Sequence, residues 1–569
     1  MGDEDRDVEP GVQGAPWRIR YAHPCDWAGS FPPLSLPAMF EAAAAAHPDR
    51  TLVSFNGRRW TYAAMLAAAR RFAGGLVRAG IGKGDRVGLF LPNAPVTVPA
   101  YFGALMAGAT LVNFSPLYPA EELEAQVADS GTRLLVTLDV PALLPKALQV
   151  LRDSPLERLV VARLARMVPW WQALALRTVA RGQVAPVPDA PDVIDWAAIQ
   201  GDPPAALPAI DPEHEIALLQ YTGGTTGTPK GAILTHQNLT ANARQVRAID
   251  PHADQRDVTL GVLPLFHVFA MTCILNRTVL NGGEIVMLAR FDAGQVLSAI
   301  HRHQPTSIFA VPTMLQALLD HPRCEGTSFA SVREVVSGGA PLPLPVKQRF
   351  EQVTGAQVIE GYGLTECSGV VSCNPLQAHP LLGPARAGTI GQPLPGTRLR
   401  LLDKDDPCHD ARPGEPGELG VAGPQVMQGY WRRPDAEAST FAQCGGTRWL
   451  RTGDVAVIDG DGFVRIVDRI KDMIAVGGFK VYPSEVEAVL LQNPAVREAL
   501  VIGAPDPYKG EVPRAFVTCR TACDATELRD WLNDRVGKHE RVDAVVIRDA
   551  LPKTPIGKLD RKALRAELT

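Results

Sequence analysis

The sequence shows no surplus of either charge. Lys and Arg number 57 against 61 Asp and Glu, a net charge of −4 over 569 residues. A nucleic-acid binder usually carries a basic excess or stripe, so nucleic acid is excluded as a partner. Uninterrupted apolar sequence long enough to span a membrane is also missing. The N-terminus opens on Asp3, Glu4, Asp5 and Asp7 with no apolar run, which is not the pattern of a secretory signal. Residues 1–34 are read as an N-terminal arm, loose at its acidic start. Cysteine is sparse, with nine at 25, 273, 324, 367, 373, 408, 444, 519 and 523. An odd, irregularly spaced set does not predict a disulfide framework. Cys519 and Cys523 lack the second pair a zinc site would need. A reducing cytoplasm follows as the expected compartment. There is no fixed-period repeat, and no pattern fixes an oligomeric state.

One stretch comes near to a membrane signal. Residues 158–181 read RLVVARLARMVPWWQALALRTVAR. Five arginines around Trp170 and Trp171 fit a pair of interfacial helices in peripheral contact with a membrane. They fit equally a helical hairpin lying on its own protein.

What is present is ordinary globular material: 46% apolar and 21% charged residues, in a chain long enough for two or more domains. Near-continuous apolar runs at residues 87–91, 134–138, 216–221, 285–288, 307–311 and 332–337 predict strands covered on both faces. Helical periodicity between several of them, as at 121–130 and 293–304, predicts an α/β layered architecture. The proline-rich residues 185–212 predict a long loop. After Gly453 the texture changes to hairpins and two further helical stretches, 484–492 and 526–536. The expected fold is α/β: a large domain of layered sheets and helices over 35–467, then a small, mobile α+β domain over 468–569.

The densest chemistry lies at 221–231, YTGGTTGTPKG, directly after an apolar run. Gly223, Gly224 and Gly227 let backbone N–H groups converge on one centre. Hydroxyls at Thr222, Thr225, Thr226 and Thr228 add donors, and Lys230 adds positive charge. Such a loop suits a polyphosphate. It is not a Walker P-loop, because Lys230 stands between Pro229 and Gly231 rather than before Ser or Thr.

This loop resembles the phosphate loop of the adenylate-forming superfamily, which holds acyl-CoA synthetases, peptide-synthetase adenylation domains and luciferases. Further motifs follow in that family's order: LPLFH (263–267), SGGAP (337–341), GYGLTE (361–366), RTGD (451–454), DRIKD (468–472) and PKTPIGK (552–558). The resemblance covers roughly residues 35 to 565. It implies ATP, Mg2+ and coenzyme A as cofactors and co-substrates. It implies that Gly338, Gly339, Ala340, Gly361, Tyr362, Gly363 and Thr365 surround adenine and phosphate, that Asp454, in a Thr-Gly-Asp turn, holds the ribose, and that Arg469 is a second ribose or phosphate contact. Glu366 with Thr222 would bind magnesium, a cation that prefers oxygen ligands shared with phosphates. His267, at the end of an apolar strand, would stand beside the acyl pocket. Lys558 would bridge carboxylate and α-phosphate in the first half-reaction. Asp468 would be the hinge that later swings Gly477, Gly478 and Lys480 in to line the pantetheine tunnel. Taken alone, a Glu in a loop or a Lys near a C-terminus is an ordinary solvated residue; the ordered set gives each its role.

Phrases such as LPLFHVF (263–269) and VGGFKVYP (476–483) look like bacterial medium- to long-chain fatty acyl-CoA ligases. Lys480 stands where many of those carry Asn. The reading is therefore ligation of a carboxylic acid, a medium- or long-chain fatty acid, to coenzyme A through an acyl-adenylate. The alternatives are an aryl- or dicarboxylate-CoA ligase, an acyl-AMP ligase that loads a carrier protein, and a non-enzyme that binds ATP or acyl groups.

Overall fold

A computed structural model describes residues 16–203, 208–222, 229–403, 406–412, 414–554 and 558–567. Two large sheets dominate. The first has nine strands in the order Gln392–Pro393, Ser372–Cys373, Val358–Tyr362, Glu334–Ser337, Ser307–Ala310, Val258–Gly261, Glu284–Met287, Thr51–Phe55, Arg58–Thr61. Its interior pairs are parallel and its margins antiparallel. The second has eight, in the order Gly429–Tyr430, Lys230–Thr235, Ile216–Thr222, Thr110–Asn113, Arg86–Leu89, Thr132–Leu138, Arg158–Ala162, Val193–Asp195. Strands such as Glu284–Met287 and Ser307–Ala310 are buried along their whole length, as parallel strands covered on both faces must be. The predicted runs all become strands, and the predicted helices appear as Ala120–Ser130 and Ala293–His303. Helix Thr97–Met106 is apolar on every side and wholly buried, as a helix without a polar face has to be.

Antiparallel strands Arg398–Leu402, Gly417–Ala422, Thr447–Ile458, Phe441–Cys444 and Val464–Arg469 form a third sheet. The C-terminal part is a fourth, small sheet built on the long hairpin Val496–Asp506/Gly510–Cys519, with helices Pro483–Leu490 and Ala525–Asn533. The continuous core of the larger part reaches Ile466, and the core of the smaller part begins at Ile474. The N-terminal stretch from Pro16 is held down: Trp17 is buried, Tyr21 donates to the Pro393 carbonyl at 2.8 Å, and Trp27 donates to that of Thr397 at 2.9 Å. The acidic start of the arm lies outside the described residues.

Three expectations need correction. Residues 158–181 are not a helix pair. Arg158–Ala162 is a parallel strand between Thr132–Leu138 and Val193–Asp195, because its LVVA core is short, apolar and β-branched, a pattern a helical period does not distinguish. Only Trp170–Arg177 is α-helical. The proline-rich stretch is not wholly loop either: it supplies the edge strand Val193–Asp195 and the short helix Trp196–Ile199. The cysteines do pair. Cys408 and Cys444 form a disulfide with Cα atoms 5.2 Å apart, and Cys519 and Cys523 form another. Spacing along the chain carries no information about the tertiary packing that brings Cys408, in a turn, and Cys444, at a strand end 36 positions on, within disulfide reach.

Candidate active site

The strands Ser307–Ala310, Glu334–Ser337 and Val358–Tyr362 end at the same edge of the nine-stranded sheet, and a cavity of about 960 Å³ opens there. Crevices at the carboxyl ends of parallel strands are where α/β proteins place ligands. Thr222 and Lys230, the two ends of the predicted phosphate loop, line it, as do His267, Gly338, Gly339, Gly361, Tyr362, Gly363, Thr365, Glu366, Arg469 and Lys558. Gly223, Gly224, Thr225, Thr226 and Gly227 lie outside the described residues. Asp454 joins the wall from behind, its carboxylate accepting from the Tyr362 hydroxyl and pairing with Arg469 Nε at 3.1 Å. Ala340 is not among the lining residues. Gly477, Gly478 and Lys480 are not among the lining residues either; the two glycines turn the chain between strands Ile474–Val476 and Phe479–Val481, and Lys480 lies in the second.

Local structure explains the placements. Gly339 has φ +80°, and a Cβ there would stand 3.0 Å from Lys558 Cε, so the bare backbone lets the lysine lie against it. Gly363 is needed for space: a Cβ would meet the Gly369 carbonyl oxygen at 1.9 Å. Asp454 is not in a turn but inside strand Thr447–Ile458, opposite Arg469 in strand Val464–Arg469. Gly453, at φ +72°, makes the bulge that re-aims this part of the strand. His267 is not at a strand end; it caps the short helix Val268–Ala270 after a loop.

Electrostatics sharpen the picture. Burial, reinforced by the Arg469 charge, lowers the Lys558 ammonium to about 8. Burial, with Lys558 nearby, lowers the His267 imidazole to about 4, so it is neutral at physiological pH. Burial and the Asp454 carboxylate hold the Tyr362 hydroxyl well above its ordinary range.

The family model described as AMP-binding enzyme matches residues 40–431, and that of the AMP-binding enzyme C-terminal domain matches residues 485–558. The chain belongs to the AMP-binding enzyme family. It is 36% identical over 561 residues to a long-chain-fatty-acid–CoA ligase of Bacillus subtilis (strain 168), covering 97% of this chain and 98% of the relative. It is also 36% identical over 522 residues to a feruloyl-CoA synthase of an Amycolatopsis species, covering 91% and 96%. The crystal structure of ATP-bound MatB from Rhodopseudomonas palustris superimposes with a TM-score of 0.78 at 27% identity, over 94% of this chain and 99% of that one. The chain is accordingly an AMP-forming acyl-CoA ligase, and ATP, Mg2+ and coenzyme A are what that enzyme class uses.

The donor set of this ligase suits magnesium. Among the described residues there is no cluster of three or more His, Cys, Asp or Glu that would cage a metal. The Glu366 carboxylate and the Thr222 hydroxyl both line the cavity. Magnesium usually takes one or two carboxylates and completes its shell with water and substrate phosphates.

Sequence reasoning missed Tyr430 and Lys471. Tyr430 donates to Glu366 Oε1 at 2.7 Å, and Lys230 Nζ lies 5.3 Å from its ring centroid. It arrives through the strand Gly429–Tyr430 pairing with Lys230–Thr235, a contact with no local pattern. Lys471 lines the cavity two residues after Arg469, and burial lowers its ammonium; its place in the DRIKD motif was the available signal.

Proposed function

We propose that this ligase joins a medium- or long-chain fatty acid to coenzyme A through an acyl-adenylate, with release of AMP and pyrophosphate. The observation that carries the reading is the apolar limb of the cavity. Its walls include Val246, Ile249, Phe269, Phe309, Val336 and Ile359, and the whole cavity is at the large end of the roughly 300–1,000 Å³ typical of small-molecule sites. Two relatives of similar identity act on chemically different acids by name, so the pocket and not the kinship decides the substrate. The apolar residues, Lys558 and the phosphate-loop flanks Thr222 and Lys230 all line this one cavity. An acid carboxylate held between them faces the α-phosphate.

In this reading the Lys558 ammonium spans the carboxylate and the phosphoryl oxygens and offsets the charge that builds as they approach. Lys230 and the Thr222 hydroxyl face the polyphosphate. Magnesium, when bound by Glu366 and Thr222, supplies charge neutralisation of the phosphates. Neutral His267 packs at the mouth of the acyl limb as an uncharged hydrogen-bonding group. Asp454 and Arg469 hold the ribose, and Tyr362 offers a flat face to adenine. Lys558 inside the cavity with Gly477, Gly478 and Lys480 away from it supports an adenylating arrangement. The thiol step then calls for the segment after Asp468 to turn. The test is AMP release with octanoate, laurate, palmitate, benzoate, ferulate and malonate, with and without coenzyme A. Coenzyme A-dependent AMP release highest with a fatty acid is expected. A preference for ferulate or benzoate, or AMP release indifferent to coenzyme A, overturns the reading.

A second reading concerns where the enzyme works. Among the described residues no helix is long and apolar enough to cross a membrane. Helix Trp170–Arg177 nevertheless exposes Trp170 (79%), Trp171 (56%) and Leu174, with Val179 beyond it, beside Arg177 and Arg181. An apolar face edged by arginine suits reversible contact with an anionic bilayer, from which a water-poor fatty acid would be drawn.

A further inference from the structure

The floor of the acyl limb is read from strand alternation. Gly338, Val336 and Glu334 all line the cavity, because successive even positions of strand Glu334–Ser337 and its extension share one face. Gly338 lies next to the bay of Gly339 and Lys558. Glu334, four residues back along the strand, is therefore about 13 Å deeper. The neighbouring strand does the same with Val311 and Phe309; Phe309 stands level with Val336, midway, and Ser307 is the partner of Glu334. The lining between Gly338 and Glu334 on these two strands is apolar, and Glu334 adds a carboxyl at the start of its strand.

That carboxyl belongs to a buried charged cluster. Glu334 Oε1 accepts from Arg277 Nη2 at 2.6 Å, and Arg277 also pairs with Asp250 at 2.8 Å and Asp257 at 3.1 Å. Arg277 is 1% exposed and stacks 5.4 Å from the Phe309 ring, which fixes it behind the pocket wall. Arg333 approaches Asp257 only at 4.0 Å. Three carboxyls thus face one closely held guanidinium. A methyl terminus against Glu334 would cover a carboxyl whose acceptor capacity the contacts of Arg277 and Ser307 do not fill. A second carboxylate would meet like charge in a desolvated space. A hydroxyl suits the place in either protonation state of Glu334, because it both donates and accepts.

We propose that the ligase recognises the distal end of its acid through Glu334, and that its preferred substrates are chains bearing a terminal hydroxyl rather than a methyl or a second carboxylate. The proposal rests on the fatty-acid reading above and names the substrate class within it. Glu334 is a specificity residue here, backed by Arg277, and takes no part in the reacting centre.

The experiment compares kcat/KM for matched acids that end in methyl, hydroxyl or carboxylate, over chain lengths from octanoate to palmitate. The purified wild-type enzyme, Glu334→Gln and Glu334→Leu are assayed by AMP release. At the length whose end meets Glu334, wild type is expected to favour the hydroxyl-ended acid over its methyl partner by about 10- to 100-fold, the discrimination of a hydrogen bond to an ionisable buried group. Glu334→Gln, which keeps an acceptor for Arg277, should retain a smaller preference, and Glu334→Leu should erase or reverse it. A wild type that uses methyl-ended acids as well as hydroxyl-ended ones at every length overturns the proposal and leaves the fatty-acid reading standing. Best use of the dicarboxylate also overturns it. Failure to activate any of these chains overturns the fatty-acid reading and the proposal together. The wild-type ratio decides even where Glu334→Leu fails to fold.

Discussion

At the scale of single residues, the proposed mechanism assigns the first half-reaction to Lys558. Its ammonium lies in the cavity against Gly339, beside Arg469, and is lowered to about 8. Only the charged form can bridge two anions, so adenylation should hold steady below that pH and fall about tenfold per unit above it. Pyrophosphate exchange measured across pH reads this limb directly. Lys558→Ala should lose about 100- to 1,000-fold in exchange while still forming thioester from supplied acyl-adenylate. Lys558→Arg, whose guanidinium stays protonated, should move the limb upward at reduced rate. An alanine variant that exchanges at wild-type rate, or a limb unmoved by arginine, removes Lys558 from the chemistry.

At the scale of elements, the stretch 158–181 shows what local pattern cannot decide. LVVA is consistent with either a strand or a buried helix; the empty slot between Thr132–Leu138 and Val193–Asp195 settles it as a strand. The arginines divide accordingly. Arg163 and Arg166 both pair with Asp195, at 2.9 and 3.1 Å, and Arg158 donates to the Ala79 carbonyl, so none of these is free for lipid. The membrane reading rests on Trp170, Trp171 and Leu174 alone, with Arg177 and Arg181 as charge. Wild type should sediment with anionic liposomes at low salt and much less at high salt. A variant with Trp170, Trp171 and Leu174 changed to Ser should stay in the supernatant and keep its activity on octanoate. Equal sedimentation of the two proteins rules this helix out as the contact. Asp454 teaches a similar lesson. Its Thr-Gly-Asp string looks like a turn, yet the glycine is a bulge within a twelve-residue strand, and only the pairing with Val464–Arg469 reveals it.

At the scale of the whole molecule, the layered α/β architecture was legible because parallel strands covered on both faces leave continuous apolar runs. The candidate site was legible because glycines, hydroxyls and charges were concentrated in ordered motifs. Contacts between distant segments were not: Tyr430 reaching Glu366, the pairing of Cys408 with Cys444, and the carboxyl of Glu334 held by Arg277 all join segments far apart in the chain. The relation of the two parts is equally a matter of the whole fold. Arg497 of the small part pairs with Asp320 of the large part at 2.7 Å, and in this arrangement Lys558, not the 477–480 turn, occupies the cavity. Asp320→Cys and Arg497→Cys joined by a short bismaleimide should keep pyrophosphate exchange and lose acyl-CoA formation. A cross-linked enzyme that makes acyl-CoA at full rate contradicts the two-arrangement scheme.

The central claim is that the cavity turns a fatty acid, ATP and coenzyme A into acyl-CoA, AMP and pyrophosphate. It is tested most directly by product analysis of one reaction containing laurate, all three products being quantified together by chromatography and mass spectrometry. The account predicts lauroyl-CoA, AMP and pyrophosphate in equal amounts, with lauroyl-AMP accumulating when coenzyme A is withheld. ADP and orthophosphate in their place, or AMP without any thioester when coenzyme A is present, would contradict it.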